Sequence, residues 1–230
     1  MTIAIVIPAA GVGARMQADR PKQYLLLQGQ TILEQTVAVL QQALPNQPIF
    51  IAISADDSYF ANLPLSEQSG IIRVLGGAER ADSVLSALQV IDQQQYPWVL
   101  VHDAARPLVT PADIHQLIER CYKAGHGGIL ATPVRDTMKR SQSHANQPLV
   151  DHTVERAQLW HALTPQFFPT AELTQALSQA LAAQVNITDE ASAMEWAQYP
   201  VLISPGRADN LKITQPEDLL LAQFYREHLR

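Results

Sequence analysis

The stretch Pro8-Ala9-Ala10-Gly11-Val12-Gly13-Ala14-Arg15-Met16 follows an apolar run and sets two glycines beside a cation. Small residues let backbone N–H groups come close to phosphate oxygens. The loop is expected to continue to Lys22, adding Arg20 and Lys22 to Arg15. A P-loop would need Gly-Lys-Ser/Thr, which is absent. A dinucleotide fingerprint would need a third glycine where Met16 stands. Pro21 would also clash with a long helix begun at Gly13. Three cations beside a glycine loop at a strand end point to a triphosphate, with a solvated basic turn as the alternative reading.

Further groups fall in other loops. Gly76-Gly77-Ala78-Glu79-Arg80-Ala81-Asp82-Ser83 also follows a strand-like run. Its glycines permit backbone approach, and Ser83 can donate to a base or a phosphate. Capping of a helix by Asp82 or Ser83 is the competing reading. In Val101-His102-Asp103-Ala104-Ala105-Arg106-Pro107, Asp103 ends a buried strand, so its carboxylate should project into a cleft. There it could orient Mg²⁺ directly or through water, and Arg106 has the fork geometry for an anion. A structural Asp–Arg pair is the alternative. Arg135 to Arg140 and Thr153 to Arg156 form two more polar groups, and Thr188 reads as a helix N-cap. Lys212 lies between Leu211 and Ile213, which is odd for packing and easier to explain facing an anion.

Of the 16 Lys and Arg, these loops hold Arg15, Arg20, Lys22, Arg80, Arg106, Arg135, Lys139, Arg140, Arg156, Arg207 and Lys212. Cations gathered at strand ends in an acidic protein suggest phosphate binding there. The seven histidines do not cluster at metal-ligand spacing, and no Ser-His-Asp arrangement is suggested. Phosphoryl chemistry needs neither. An attacking phosphate, with a second pKa near 6, is mostly dianionic at neutral pH and requires no general base. Catalysis then reduces to holding two anions in line and neutralising developing charge.

The elements that would position these residues alternate. Strands are predicted at Ile3 to Ile7, Ile49 to Ile53, Ile71 to Leu75, Trp98 to Val101 and Gly127 to Val134, with shorter ones at Val201 to Ile203 and Leu211 to Ile213. Helices are predicted at Thr31 to Leu44, Asp82 to Ile91, from Pro111 with Thr110 as cap, at Thr170 to Ala183, Asp189 to Ala197 and from Pro216. Thr31 with Glu34, and Thr214 with Glu217, read as capping boxes. Alternation of this kind predicts a mainly parallel sheet covered on both faces. Ligands then bind beyond the carboxyl ends of its strands. The rhythm breaks at Asp136 to Pro148, which is polar and turn-rich, and Leu149 to Trp160 looks extended. That length suggests a functional excursion.

The 230 residues fit one large domain, and a net charge of −6 argues against nucleic acid as a partner. A single cysteine, Cys121, excludes an intrachain disulfide and reads as a buried apolar residue. No run approaches the 18 or so apolar residues that span a bilayer, and the short apolar start is unlike a signal peptide. The cytoplasm is the expected compartment.

The segments PAAGVGARM, PKQYL, GGAERADSV, VHDAARP, PVRDTMKR, HTVERAQLW, ALTPQFF, TDEASAME and GRADNLKIT, in this order over nearly the whole chain, resemble the 2-C-methyl-D-erythritol 4-phosphate cytidylyltransferases. The resemblance implies a Rossmann-like α/β fold of the nucleotide-diphospho-sugar transferase type with an extended β-arm. It implies transfer of CMP from CTP, with Mg²⁺ bound mainly through the CTP phosphates, to a sugar-alcohol phosphate. Ala9, Ala10, Gly11 and Gly13 would lie along CTP, with Gly77 and Ser83 near the cytosine and Ala104 near the nucleotide. Arg15 and Lys22 would stabilise the pentacoordinate phosphorus and the leaving pyrophosphate. Asp103, Arg106, Thr137, Thr164, Thr188 and Lys212 would contact the acceptor, Asp103 also serving Mg²⁺. Arg156 and Lys212 would position the attacking phosphate. The excursion, at about 136–160 of a single 1–230 domain, would be an arm reaching into a twin subunit, with Arg156 acting across a homodimer interface. A ribitol 5-phosphate cytidylyltransferase, a nicotinamide-dependent dehydrogenase and a non-catalytic nucleotide-binding regulator are the rival readings.

Overall fold

The computed structural model describes residues 2–11, 16, 18–144 and 147–228. The first β-branched run forms β1 (Ile3–Pro8), buried on both faces. A two-residue turn at Gln28 and Gly29, both at positive φ, joins β2 (Leu26–Leu27) to β3 (Gln30–Thr31). Positive φ at both central residues matches the right-handed twist of a hairpin. Next come α1 (Ile32–Ala43), β4 (Ile49–Ile53), β5 (Ile71–Leu75), α2 (Arg80–Val90), β6 (Trp98–Val101) and α3 (Pro111–Ala124). The second half contains β7 (Gly128–Pro133), β8 (Met138–His144), β9 (Gln147–Val154), β10 (Trp160–Pro169), α4 (Thr170–Ala182), α5 (Glu190–Trp196), β11 (Leu202–Pro205) and α6 (Pro216–His228).

Seven strands make the central sheet in the order β11-β7-β10-β6-β1-β4-β5. Only β10 runs against its neighbours, antiparallel to both β6 and β7; the other pairs are parallel. The sheet is therefore mainly parallel, as the alternation predicts. On one face Leu33, Val37 and Leu40 of α1 and Ile114, Leu117 and Cys121 of α3 pack with Ile5, Ile7 and Phe167. On the other, Val84 and Leu88 of α2, Leu173 and Leu177 of α4 and Met194 of α5 pack with Val6, Val99 and Phe168. Consecutive strand residues point to opposite faces, so Phe167 and Phe168 send one ring into each core, both fully buried. Each ring contributes roughly 2–3 kcal/mol of burial. Among the described residues no helix is long and apolar enough to cross a membrane.

Four local expectations change. Leu211 to Ile213 is not a strand; Ile213 N–H donates to the Ala105 carbonyl at 2.9 Å, but no ladder forms around it. α2 starts at Arg80 with Glu79 as its N-cap residue, and Asp82 accepts from Glu79 N–H at 3.0 Å, so neither Asp82 nor Ser83 is the cap. At α5 the cap is Asp189, which accepts from Ser192 N–H at 2.9 Å, and not Thr188. Before α6 the Asp218 carboxylate, not Glu217, takes up the free N–H groups of Thr214 and Gln215, at 2.8 and 2.9 Å. Each time a neighbouring carboxylate with the better reach wins the orphan donors of a helix start. The polar excursion is also more regular than its composition suggests: β8 and β9 pair as an antiparallel hairpin with a register shift between Arg140 and Ser141.

Candidate active site

Two adjoining cavities open at the carboxyl ends of the strands, where the chain switches from β4 and β5 on one side of β1 to β6 on the other. Such a reversal leaves a crevice between the diverging loops. The first cavity, about 270 Å³, is lined by Pro8 to Gly11, Lys22, Gln23, Gly77 to Arg80, Ser83, Asp103 to Ala105 and Lys212. The second, about 230 Å³, is lined by Arg106, Leu163, Thr164, Gln166, Thr188 and Asp189, and shares Arg80, Asp103 and Lys212 with the first.

Hydrogen bonds hold the described start of the glycine loop. Ala9 N–H donates to the Ala52 carbonyl at 2.8 Å. The buried Gln23 amide donates to the carbonyls of Ala9 at 2.8 Å and Gly11 at 3.3 Å. After Pro21 the chain makes a 3-10 turn, Lys22–Tyr24, and no long helix. Tyr24 anchors that turn by donating to Asp57 at 2.7 Å and stacking on Tyr59. Lys22 Nζ then donates to the Ile213 carbonyl at 2.9 Å. Gly13 and Arg15 lie outside the described residues.

The β5–α2 loop is held by Ser83, whose hydroxyl accepts from Gly77 N–H and donates to the Glu79 carbonyl, both at 3.1 Å. Its single proton is thereby engaged, and one lone pair remains without a bond in these contacts. Ser83 shapes the wall of the first cavity and has no proton left for a ligand in this arrangement.

Asp103 is the hub between the cavities. Its Oδ1 accepts from Arg80 Nε at 2.9 Å, and its Oδ2 from Lys212 Nζ at 2.9 Å and Arg106 Nε at 3.4 Å. Burial opposes its charge, but Arg80, Lys212 and Arg106 outweigh it and hold the carboxyl well below the usual range. Lys212 therefore does face an anion, and that anion is protein. Arg80 also grips the fully buried Glu190 through two bonds of 2.7 and 3.0 Å. Desolvation would lower the Arg80 pKa, yet Glu190 and Asp103 push it upward, so the guanidinium stays charged. Burial raises the Glu190 carboxyl against the pull of Arg80. Arg80 and Lys212, on the wall that the two cavities share, place cationic donors where an incoming phosphate could meet them.

Behind the hub lies His102, fully buried. Desolvation pushes its pKa down to about 4, so the ring is neutral. A register shift in β10 between Ala162 and Gln166 lifts Thr164 out of the ladder and brings its hydroxyl within 2.9 Å of His102 Nδ1.

Ala9, Ala10, Gly11, Lys22, Gly77, Ser83, Ala104, Asp103, Arg106, Thr164, Thr188 and Lys212 thus converge on the two cavities. Thr137 and Arg156 do not. Both are exposed near the foot of the hairpin, where Arg156 borders a separate hollow with Arg135 and Glu155. Sequence reasoning gave no individual role to Gln23, His102, Arg80 or Glu190. Gln23 sits beside Lys22 and His102 beside Asp103, so adjacency was a usable signal. Nothing local pairs Arg80 with Glu190, 110 positions away.

The model of the family described as 2-C-methyl-D-erythritol 4-phosphate cytidylyltransferase matches residues 3–228. Among curated relatives bearing that name, one from Vibrio cholerae is 60% identical over 222 residues, 96% of this chain and 94% of the relative. One from Vibrio vulnificus strain CMCP6 is 56% identical over 227 residues, 97% and 94% of the two chains. The solved Francisella tularensis enzyme of the same name superimposes with a TM-score of 0.79 at 35% identity, covering 97% of this chain and 99% of that one. The Thermus thermophilus structure gives 0.80 at 31%, covering 99% and 100%.

Proposed function

The chain belongs to the 2-C-methyl-D-erythritol 4-phosphate cytidylyltransferase family, and from that premise we propose that it transfers CMP from CTP to 2-C-methyl-D-erythritol 4-phosphate. The products are 4-diphosphocytidyl-2-C-methyl-D-erythritol and pyrophosphate, a step in isoprenoid precursor synthesis. The observation that carries the reading is the pair of cavities sharing one cationic wall, Arg80 and Lys212 around Asp103. A triphosphate in the first and a phosphate monoester in the second would meet at that wall.

An oxygen of the acceptor phosphate attacks the α-phosphorus of CTP. The bond from that phosphorus to the bridging oxygen breaks, and pyrophosphate leaves with the electron pair. No proton need be removed from a dianionic nucleophile. Lys22, with Arg15, is assigned to the charge that develops on the α-phosphoryl oxygens and the leaving group. Ala9, Ala10, Gly11 and Gly13 are assigned to the triphosphate, and Gly77, Ser83 and Ala104 to the nucleoside. Asp103, Arg106, Thr164, Thr188 and Lys212 are assigned to the acceptor.

Mg²⁺ enters as part of the nucleotide substrate, bound by its phosphates. Asp103 fits a directly bound cation poorly, because both its oxygens already accept from cations. Any contact between Asp103 and the ion would pass through water. Thr137 and Arg156 complete the acceptor site from a twin subunit, which makes the working form a homodimer of single 1–230 domains joined by arms at about 136–160. Their exposure away from the cavities of their own chain supports this. The cytoplasm is the proposed compartment.

Purified protein with CTP and Mg²⁺ should release pyrophosphate with 2-C-methyl-D-erythritol 4-phosphate. Equal or better turnover of ribitol 5-phosphate would overturn the acceptor assignment.

A further inference from the structure

His102 touches neither cavity, yet its bonding dictates what Thr164 can offer to a ligand. His102 Nε2 lies 3.0 Å from the Arg106 carbonyl oxygen. A carbonyl only accepts, so Nε2 carries the proton of the neutral ring and Nδ1 is a bare lone pair. Thr164 Oγ1, 2.9 Å from Nδ1, must therefore point its one proton at the ring. The same oxygen accepts from Asp103 N–H at 3.1 Å. One proton and one lone pair are committed within the protein, which leaves a single lone pair. Thr164 lines the second cavity.

We propose that His102 is a positioning residue that makes Thr164 purely an acceptor toward the second cavity, so that Thr164 recognises an alcohol hydroxyl of the acceptor substrate and not its phosphate. A dianionic phosphate has no proton to donate and is repelled by an outward lone pair. A hydroxyl donates to it. The polyol part of the substrate therefore lies against Thr164, and the anionic end is left to the cations. This rests on the reading that the second cavity holds a polyol phosphate.

The test combines nitrogen-15 NMR of the wild-type histidines with kinetics on acceptor analogues in which each hydroxyl in turn is replaced by hydrogen. The spectrum should show His102 with Nδ1 unprotonated. One deoxy analogue should lower the wild-type kcat/KM about tenfold, the loss of one neutral hydrogen bond, through the acceptor KM with the CTP KM unchanged. In Thr164→Val that analogue and the parent should become equal within about twofold, and Thr164→Ser should restore the difference. In His102→Leu, where the hydroxyl is free to turn, the difference should shrink. An Nδ1-protonated His102, a wild type indifferent to every deoxy analogue, or full discrimination surviving in Thr164→Val overturns the proposal. Should His102→Leu not fold, the spectrum and the Thr164 pair still decide. Failure of the acceptor reading would look different, as no turnover of the parent compound by wild type.

Discussion

Lys22 connects the two ends of the chain: it leaves a turn in the first tenth and donates to the Ile213 carbonyl, one residue past Lys212. Its ammonium is thus held beside the site before any anion arrives. Preorganised charge of this kind acts on the transition state without reorganising at the moment of reaction. Lys22→Ala is expected to lower kcat by about 10²- to 10³-fold while leaving the circular dichroism spectrum and the thermal midpoint close to wild type. Near-normal turnover would remove Lys22 from the mechanism. At this scale the sequence was readable wherever a residue type conflicted with its surroundings. Lys212 between two apolar neighbours had to face an anion, and it meets Asp103 at 2.9 Å. For Gln23 and His102 adjacency to Lys22 and Asp103 marked the place but not the role, because much of their bonding is to backbone carbonyls, which no side-chain pattern announces.

Among elements, the β5–α2 loop and the glycine loop touch so closely that one wall of the first cavity depends on a missing methyl. A Cβ at Gly76 would lie 2.5 Å from the Ala10 Cβ and 3.1 Å from Ser83 Oγ. Neither neighbour is a flexible chain end, so the two loops would have to part. Gly76→Ala should raise the CTP KM about tenfold and leave the acceptor KM near wild type. It should also cost about 1–3 kcal/mol of stability, the usual penalty for overpacking. An unchanged CTP KM in steady-state kinetics would show that this contact does not set the nucleotide wall. The strands β4, β5 and β6 could be bounded to the residue, because turn-forming or polar residues flank them. β10 could not. Its register shift and Pro165 interrupt the period, so an extended run was expected to end where the strand in fact begins, at Trp160. The start of α6 at Pro216 and the Thr31 and Thr110 caps were legible, whereas the cap residues of α2 and α5 and the carboxylate that takes the free N–H groups before α6 were not those expected.

For the molecule as a whole, alternation sufficed to predict a mainly parallel sheet with a core on each face, since that pattern follows from covering a buried sheet. It could not predict the antiparallel β10, which lies between strands far from it in sequence. Nor could one chain's sequence say what lies against the hairpin. Leu149 and Val150 on β9 are half or more exposed. Adjacent strand residues point to opposite faces, so apolar surface lies open on both sides of the arm. If the arm clasps a second copy, Leu149→Asp with Val150→Asp should halve the mass seen by sedimentation and reduce activity. Mixing Arg156→Ala subunits with Lys22→Ala subunits should then recover part of the lost turnover, since each mixed dimer retains one intact site. No recovery in verified heterodimers would count against sharing across the interface.

The arm leaves β7 and returns to β10, and those two strands pair with each other: Pro133 sits opposite Trp160, and Val134 N–H donates to the Leu159 carbonyl at 2.9 Å. From the standpoint of the sheet, the whole excursion is the loop of one hairpin, grown long. Its two feet stay together whatever happens at its tip. Insertions and deletions there need not disturb β10, which carries Thr164, or β6, which leads into Asp103. The tip of the arm can therefore vary in length and sequence while Thr137 and Arg156 near its feet, and Asp103 and Thr164 in the body of the domain, keep their places.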